Sequence, residues 1–398
     1  MNTQTIAEVR ELAFQSEEIQ MKRYRCGDDA AKQLPVSYDE WRERAKQILA
    51  ASPFGYVHGA AGAGDTKRSN VDAFQNYRIR PRICCDISEC DLSVSLFGRQ
   101  LPVPFLLAPI GVNTILHPDG ETAPALASAN LGIPYILSNV SSISLEQVAE
   151  AMGDHTRWFQ LYPPKNRELT VSFLQRAEKA GYSALVVTVD STLLGWRETD
   201  LQNAYLPFLT GQGMGNYFSD PVFRSQLKQP PEENVEEAVK LALDEGNNIC
   251  FTWKEFDFIR DQTRLPLLIK GITHPDDAVM AMEHGVDGII VSNHGGRQLD
   301  GAVATLDALP SVAEAVNGKI PVLMDSGIRR GADILKAIAL GASAVLIGRP
   351  YAYALAVAGK AGVEEVIRHL IAETELQLAI SGRKTIRDVD SSLIVKVR

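Results

Sequence analysis

From residue 103 onward the chain repeats one pattern. Short apolar runs rich in Val, Ile and Leu alternate with longer stretches whose apolar and polar positions follow helical spacing. The runs fall at 105–108, 135–137, 158–161, 184–189, 267–269, 288–291, 322–324 and 344–347. Helical spacing separates most of them, clearest at 167–180, 275–284 and 332–340. Such runs read as strands buried on both faces, and strand–helix alternation reads as a parallel sheet covered by helices. Eight units predict an α/β fold closed into a (β/α)8 TIM barrel, for which ~250 residues suffice.

Residues 1–50 alternate charged and apolar positions at helical spacing, and 38–51 predicts an amphipathic helix burying Trp41, Ala45, Ile48 and Leu49. Glycines at 55, 59, 62 and 64 predict a loop or tight turns. The expected organisation is an N-terminal helical segment (1–102) packed on the barrel, the barrel itself (103–385) and a C-terminal tail (386–398). One insertion interrupts the barrel at 190–251, directly after the fourth run, and is rich in Gly, Asn, Pro and Gln. A loop that long is functional or disordered, and it lies on the face where barrel active sites form. We expect an active-site lid, partly mobile.

Composition narrows the class. The 398 residues are 45% hydrophobic and 22% charged, which excludes a disordered chain. A net charge of −9 argues against a nucleic-acid partner. The five cysteines are odd in number and lack zinc spacing, so reduced thiols and no metal site are expected. The first residues show no basic-then-apolar signal, no run of about 18 apolar residues exists, and the last residues are not a targeting tail. A cytoplasmic protein with no membrane partner is the expectation.

In a barrel, polar groups just past the strand ends face the ligand. At those positions stand Pro109, Ile110 and Gly111; Ser138; Gln160 and Tyr162; Thr188, Asp190 and then Arg197; Lys270; Ser292, His294 and Arg297; Asp325, Gly327 and Arg329; Gly348 and Arg349. His294 sits in a glycine-flanked turn with Arg297 three residues on, which points to function; the other six histidines read as structural or surface residues. Gly327 and Arg329 follow the seventh run, and Gly348 and Arg349 open the helix after the eighth. Backbone N–H groups at a helix start plus two guanidiniums suit a phosphate dianion. With Lys270 facing the barrel mouth, that suggests a phosphorylated cofactor.

The segment SNHGGRQLDGAVATLDALP (292–310) resembles the signature of the FMN-dependent α-hydroxy acid oxidase family, and the likeness runs over about residues 36–385 with each strand-end motif in order. Within the family it is nearest to the lactate 2-monooxygenase members, through APIGV (108–112), FQLYPP (159–164), GWRETDL (195–201), NYFSDPVF (216–223) and LIKGITHPDDA (268–278). The resemblance implies FMN as cofactor and a short L-2-hydroxy acid, foremost L-lactate, oxidised by O2. It implies His294 as catalytic base, Asp190 as its carboxylate partner, and Arg297, Arg197 and Tyr56 as the clamp on the substrate carboxylate. Tyr162 would bond the substrate hydroxyl and Lys270 would stabilise the reduced ring. Ser138, Gln160 and Thr188 would bond the ring edge, with Pro109, Ile110, Gly111 and Ser292 beside it. Asp325, Gly327, Arg329, Gly348 and Arg349 would hold the ribityl phosphate. Glycine at 111, where many oxidases of the family carry alanine, would leave space above the ring, and Val140 would widen the substrate side-chain pocket.

Two products are then expected to compete: in-place decarboxylation to acetate, CO2 and water, which the resemblance favours, or release of the 2-oxo acid and hydrogen peroxide, from lactate or a larger acid such as mandelate. A homotetramer or homo-octamer is implied. A phosphate-binding isomerase would not need the set His294, Arg197 and Arg297, a binding protein would not need a paired His and Asp, and a quinone-linked dehydrogenase would be expected to carry a membrane anchor.

Overall fold

The computed structural model describes residues 14–27, 29 and 33–397; the start of the N-terminal helical segment, residues 1–13, lies outside them. Three short strands precede the barrel: β1 (Tyr77–Ile79), β2 (Val94–Leu96) and β3 (Arg99–Leu101). The barrel strands are β4 (Phe105–Leu107), β5 (Tyr135–Ser138), β6 (Arg157–Leu161), β7 (Leu185–Thr188), β8 (Leu267–Ile272), β9 (Gly288–Val291), β10 (Val322–Met324) and β11 (Ala344–Ile347). They close in sequence order, every neighbouring pair parallel, with β11 pairing back onto β4. Each predicted run therefore became a strand, within a few residues at its ends. The strands are continuously apolar because both faces are buried: one lines the barrel interior, the other meets the helices.

Interior and exterior form separate cores. Leu106, Ile136, Trp158, Val186, Leu268, Ile290, Leu323 and Leu346 fill the barrel, and Leu96 and Leu101 of the β2–β3 hairpin close its N-terminal end. Outside lie the covering helices, including Arg167–Lys179, Pro275–Glu283, Thr305–Val316 and Gly331–Ala339. The stretch Arg349–Ile380 is two helices meeting at a kink at Ala358 and Gly359. The C-terminal tail does not run free: β12 (Ile394–Lys396) pairs antiparallel with β1.

Three expectations need correction. The helix foreseen at 38–51 ends at Ile48, and Ile48 is exposed although Trp41 and Ala45 are fully buried. A second helix, Ala51–His58, then takes in Gly55, which was expected in a turn. Gly55 is tolerated there because Asn203 and Thr199 pack against its bare Cα; a Cβ would come within 2.8 Å of Asn203 Nδ2. The insertion is not a plain loop either. It folds into helices Glu198–Gln202, Gly215–Phe218, Pro221–Ser225 and Val235–Gly246. Asp220 accepts from the N–H groups of Val222 and Phe223 and starts one of them, Asn234 starts another, and Tyr217, Phe223, Val239 and Ala242 are buried beneath. Local polarity hid the helices because capping and turn residues alternate with short apolar patches.

Candidate functional site

At the C-terminal end of the barrel a cavity of about 420 Å³ is lined by Tyr56, Pro109–Val112, Val140, Tyr162, Arg197, Lys270, His294, Arg297, Asp325, Gly327, Arg329, Gly348 and Arg349. Sequence had named all of these but Val112. The insertion closes one side through Leu206, Phe208, Met214, Tyr217, Leu243 and Ser191–Leu194. Those covering residues were not foreseen individually, because nothing in the local pattern says which side of the insertion turns inward. Ser138, Gln160, Thr188, Asp190 and Ser292 do not line the cavity; all are buried except Asp190, which is half-buried.

His294 is held from both sides. Its Nδ1–H donates to Asp190 Oδ1 at 2.8 Å, with Ser191 Oγ 3.0 Å from the same nitrogen. That fixes the tautomer and leaves Nε2 as a proton acceptor, 3.3 Å from the Tyr162 hydroxyl. Burial of His294 pushes its pKa below 6.5, against the pull of Asp190. Burial alone would raise Asp190, but the charges of His294 and Lys270 hold it at about 2. The pair is thus a neutral imidazole backed by a carboxylate, the arrangement a general base needs.

The His294 turn carries strain. His294 has φ +59°, and two further non-glycine residues at the cavity adopt left-handed backbone, Val112 at +58° and Ser326 at +77°. Each costs about 1–3 kcal/mol and persists only where surrounding contacts impose it. Here Ser292 Oγ receives the His294 N–H at 3.1 Å and Ser326 Oγ the Gly295 N–H at 2.9 Å. Ser292 also accepts from Lys270 Nζ at 2.8 Å, and Asp325 Oδ2 lies 3.1 Å from that ammonium. Burial would lower Lys270, but Asp325 and Asp190 more than offset it, so the ammonium stays charged. Lys270 precedes a register shift between β8 and β9, where the ladder skips Gly271 and lets Asp190 approach.

Arg297 and Arg197 converge on Tyr56. The Arg297 guanidinium lies 4.9 Å and that of Arg197 6.0 Å from the Tyr56 ring centre. Arg297 donates to the carbonyl of Tyr56, and Arg197 to the carbonyl of Arg297 and, at 3.0 Å, to Gln298 Oε1. Burial and the adjacent Arg197 push Arg297 down to about 9. Two cations facing one cavity with so little counter-charge favour an anionic ligand.

At the expected phosphate end the two guanidiniums are held differently. Arg349 donates to the carbonyls of Val57, Gly295 and Gly59 at 3.1, 3.0 and 2.7 Å. Its fork is largely spent on pinning the glycine-rich segment to the His294 turn. Arg329 is freer: its Nη1 donates to Ile328 O, its plane lies 4.6 Å over Tyr38, and its buried Nε has no partner. Arg329 and the backbone at Gly348 are therefore less committed to protein partners than Arg349.

Gly111 also differs from expectation. No left-handed backbone demands glycine there, yet a Cβ would come within 2.6 Å of both Cγ2 and the carbonyl oxygen of Val140. The missing side chain is occupied by Val140, not by open space.

The residues fit FMN. Gln160 Nε2 and Thr188 Oγ1 are buried without a partner beneath the cavity. The other end of the Gln160 amide accepts from Ser138 at 3.0 Å, which aims the N–H2. Unpartnered buried donors cost about 1–3 kcal/mol each, so a ligand edge that accepts from them relieves real stress.

The model of the family FMN-dependent dehydrogenase matches residues 45–396. The chain is 45% identical to an L-lactate oxidase of Lysinibacillus sphaericus over 91% of this chain and 93% of that protein. It is 39% identical to human 2-hydroxyacid oxidase 1 over 91% and 96%. Among solved structures, mandelate oxidase superposes with a TM-score of 0.79 at 34% identity, covering 89% of this chain and 97% of that one.

Proposed function

The chain belongs to the FMN-dependent dehydrogenase family and uses FMN, and from that premise we propose that it oxidises short L-2-hydroxy acids, foremost L-lactate, with O2 as electron acceptor. The observation that carries this reading is His294 Nε2 opening into the same cavity as Arg297, Arg197 and Tyr162, with Asp190 fixed behind it at 2.8 Å. Arg297 and Arg197 hold the substrate carboxylate and Tyr162 holds the hydroxyl. His294 Nε2 takes up the proton that oxidation releases, and Asp190 stabilises the imidazolium so formed. FMN, when bound, accepts the two electrons. The Lys270 ammonium supplies a fixed cation beside it, and Gln160, Thr188, Arg329 and Gly348 hold it in place.

The product stays long enough to be decarboxylated in place, giving acetate, CO2 and water. Supporting this are the motif likeness at 195–201 and 216–223 and the cover of Phe208, Met214, Tyr217 and Leu243 over the cavity. A second reading, release of the 2-oxo acid with hydrogen peroxide, is favoured by the two relatives, which are named as oxidases. Bleaching of the visible flavin band by anaerobic L-lactate tests the core proposal. Product analysis in air separates the two fates: acetate and CO2 support decarboxylation, and one peroxide per lactate replaces it with the oxidase reading. We further propose a homo-oligomer, checked by light scattering.

A further inference from the structure

Behind the cavity wall lies a buried carboxyl group that the chemistry above does not use. Glu121, immediately before helix Thr122–Asn130, has no exposed surface. Its Oε1 accepts from the backbone N–H of Asn113 at 2.8 Å and of Ser142 at 3.2 Å. Asn113 belongs to the loop after β4, Ser142 to the loop after β5. Those loops supply Gly111, Val112 and Val140 to the cavity. The same junction reaches the insertion. Thr114 Oγ1 lies 2.7 Å from Ser142 Oγ and donates to Gln212 Oε1, while Gly213 N–H donates to Ser142 Oγ at 3.0 Å. Met214, next along, lines the cavity.

We infer that Glu121 is a positioning residue: by gripping the β4 and β5 loops with one oxygen, it sets the Gly111–Val140 wall that limits the substrate side chain. This rests on the proposed function. The wall is sensitive to that grip because Val112 N–H bonds Val140 O at 3.0 Å and Gly111 leaves no spare room against Val140. Glu121 Oε2 and Asn113 Oδ1 are both buried without partners in this cluster. Burial raises the Glu121 pKa. A proton on Oε2 makes that atom a donor and leaves Oε1 to accept from the two N–H groups. Glutamine copies that state, one oxygen accepting and one nitrogen donating; leucine copies only the bulk.

The test compares wild type, Glu121→Gln and Glu121→Leu as FMN-loaded enzymes. Two readouts are taken: kcat/KM for L-lactate against (S)-mandelate, and Kd for the non-reacting pyruvate against phenylglyoxylate from the flavin absorbance change. In Glu121→Leu both ratios should move by about tenfold toward the larger ligand, the scale on which apolar pockets discriminate. Glu121→Gln should restore wild-type ratios. Unchanged ratios in Glu121→Leu, or an equal defect in Glu121→Gln, overturn the inference. If Glu121→Leu does not fold, Thr114→Val decides, since it cuts the same junction: a shift in the ratios supports the grip, wild-type ratios reject it. A wild type whose flavin no 2-hydroxy acid bleaches would instead sink the proposed function.

Discussion

At the N-terminal end of the barrel the β2–β3 hairpin inserts Leu96 and Leu101 among the interior side chains, and Phe97 meets Trp158 edge-on at 5.6 Å. At the C-terminal end the equivalent space is a cavity ringed by His294, Lys270, Arg197 and Arg297. Both ends contain an arginine tied to backbone carbonyls, buried in one case and half-buried in the other. Arg157, at the start of β6, donates to the carbonyls of Gly153, His155 and Ala180. Arg297 donates to carbonyls too, yet it keeps a face on the cavity. A buried charge is therefore not by itself a sign of function. The sign is a charge left with capacity toward open space, beside strained backbone and unpartnered donors such as Gln160 Nε2. Strained backbone at Phe97 and an unpartnered Arg157 Nε occur at the N-terminal end too; among the described residues, what the C-terminal end adds is the open cavity its charges face.

The sharpest way to break this contrast is His294→Ala. It should retain FMN, since other strands hold it, but slow flavin reduction by lactate by about 10²–10⁴-fold. Stopped-flow absorbance measures this, and reduction at the wild-type rate would remove His294 from the chemistry. The counterpart at the closed end is Leu101→Ala. Loss of that buried side chain should cost about 2–5 kcal/mol of stability. Urea unfolding should register the loss, while kcat of the folded enzyme stays within about twofold. A large fall in kcat would show that the two ends are not independent.

Arg297→Lys keeps a charge but loses the planar fork, and should lower kcat/KM for lactate by about 10–100-fold, equivalent to one or two charge-assisted bonds. An unchanged value would place the carboxylate elsewhere. The smallest expected effect is on the pH profile. Protonated His294 cannot accept a proton, so kcat/KM should rise with pH through the pKa of His294 and then level. Because burial lowers that pKa, the acid limb should lie below ~6.5. Asp190 raises it, so Asp190→Asn should move the limb to still lower pH while also lowering the plateau; a limb moving upward would contradict the pairing.

How much of this was legible depended on how local the cause was. The run at Gly288–Val291 and the turn through His294 and Arg297 announce themselves because a buried parallel strand must be apolar, while the turn that follows it here is polar and glycine-rich. The helices at 198–246 were hidden, since their apolar residues face a partner surface that only the folded barrel provides. Ile48 continues a helical stripe on paper, but the chain leaves the helix there and the side chain turns to water. Glu121 carried no signal at all: a glutamate ahead of a helix is ordinary until two loops close over it.

The sequence by itself determined the barrel and the cofactor class and brought forward the candidate reacting groups, because hydrophobic period and residue chemistry are properties of short segments. The tertiary structure alone decided which of those groups are free to act. It spent Arg349 on three backbone carbonyls, left Arg329 Nε and Gln160 Nε2 unpartnered, and filled the space beside Gly111 with Val140. Those outcomes depend on which distant segments come within about 3 Å of one another, the range over which hydrogen bonds and steric exclusion act, and no periodicity along the chain encodes that distance.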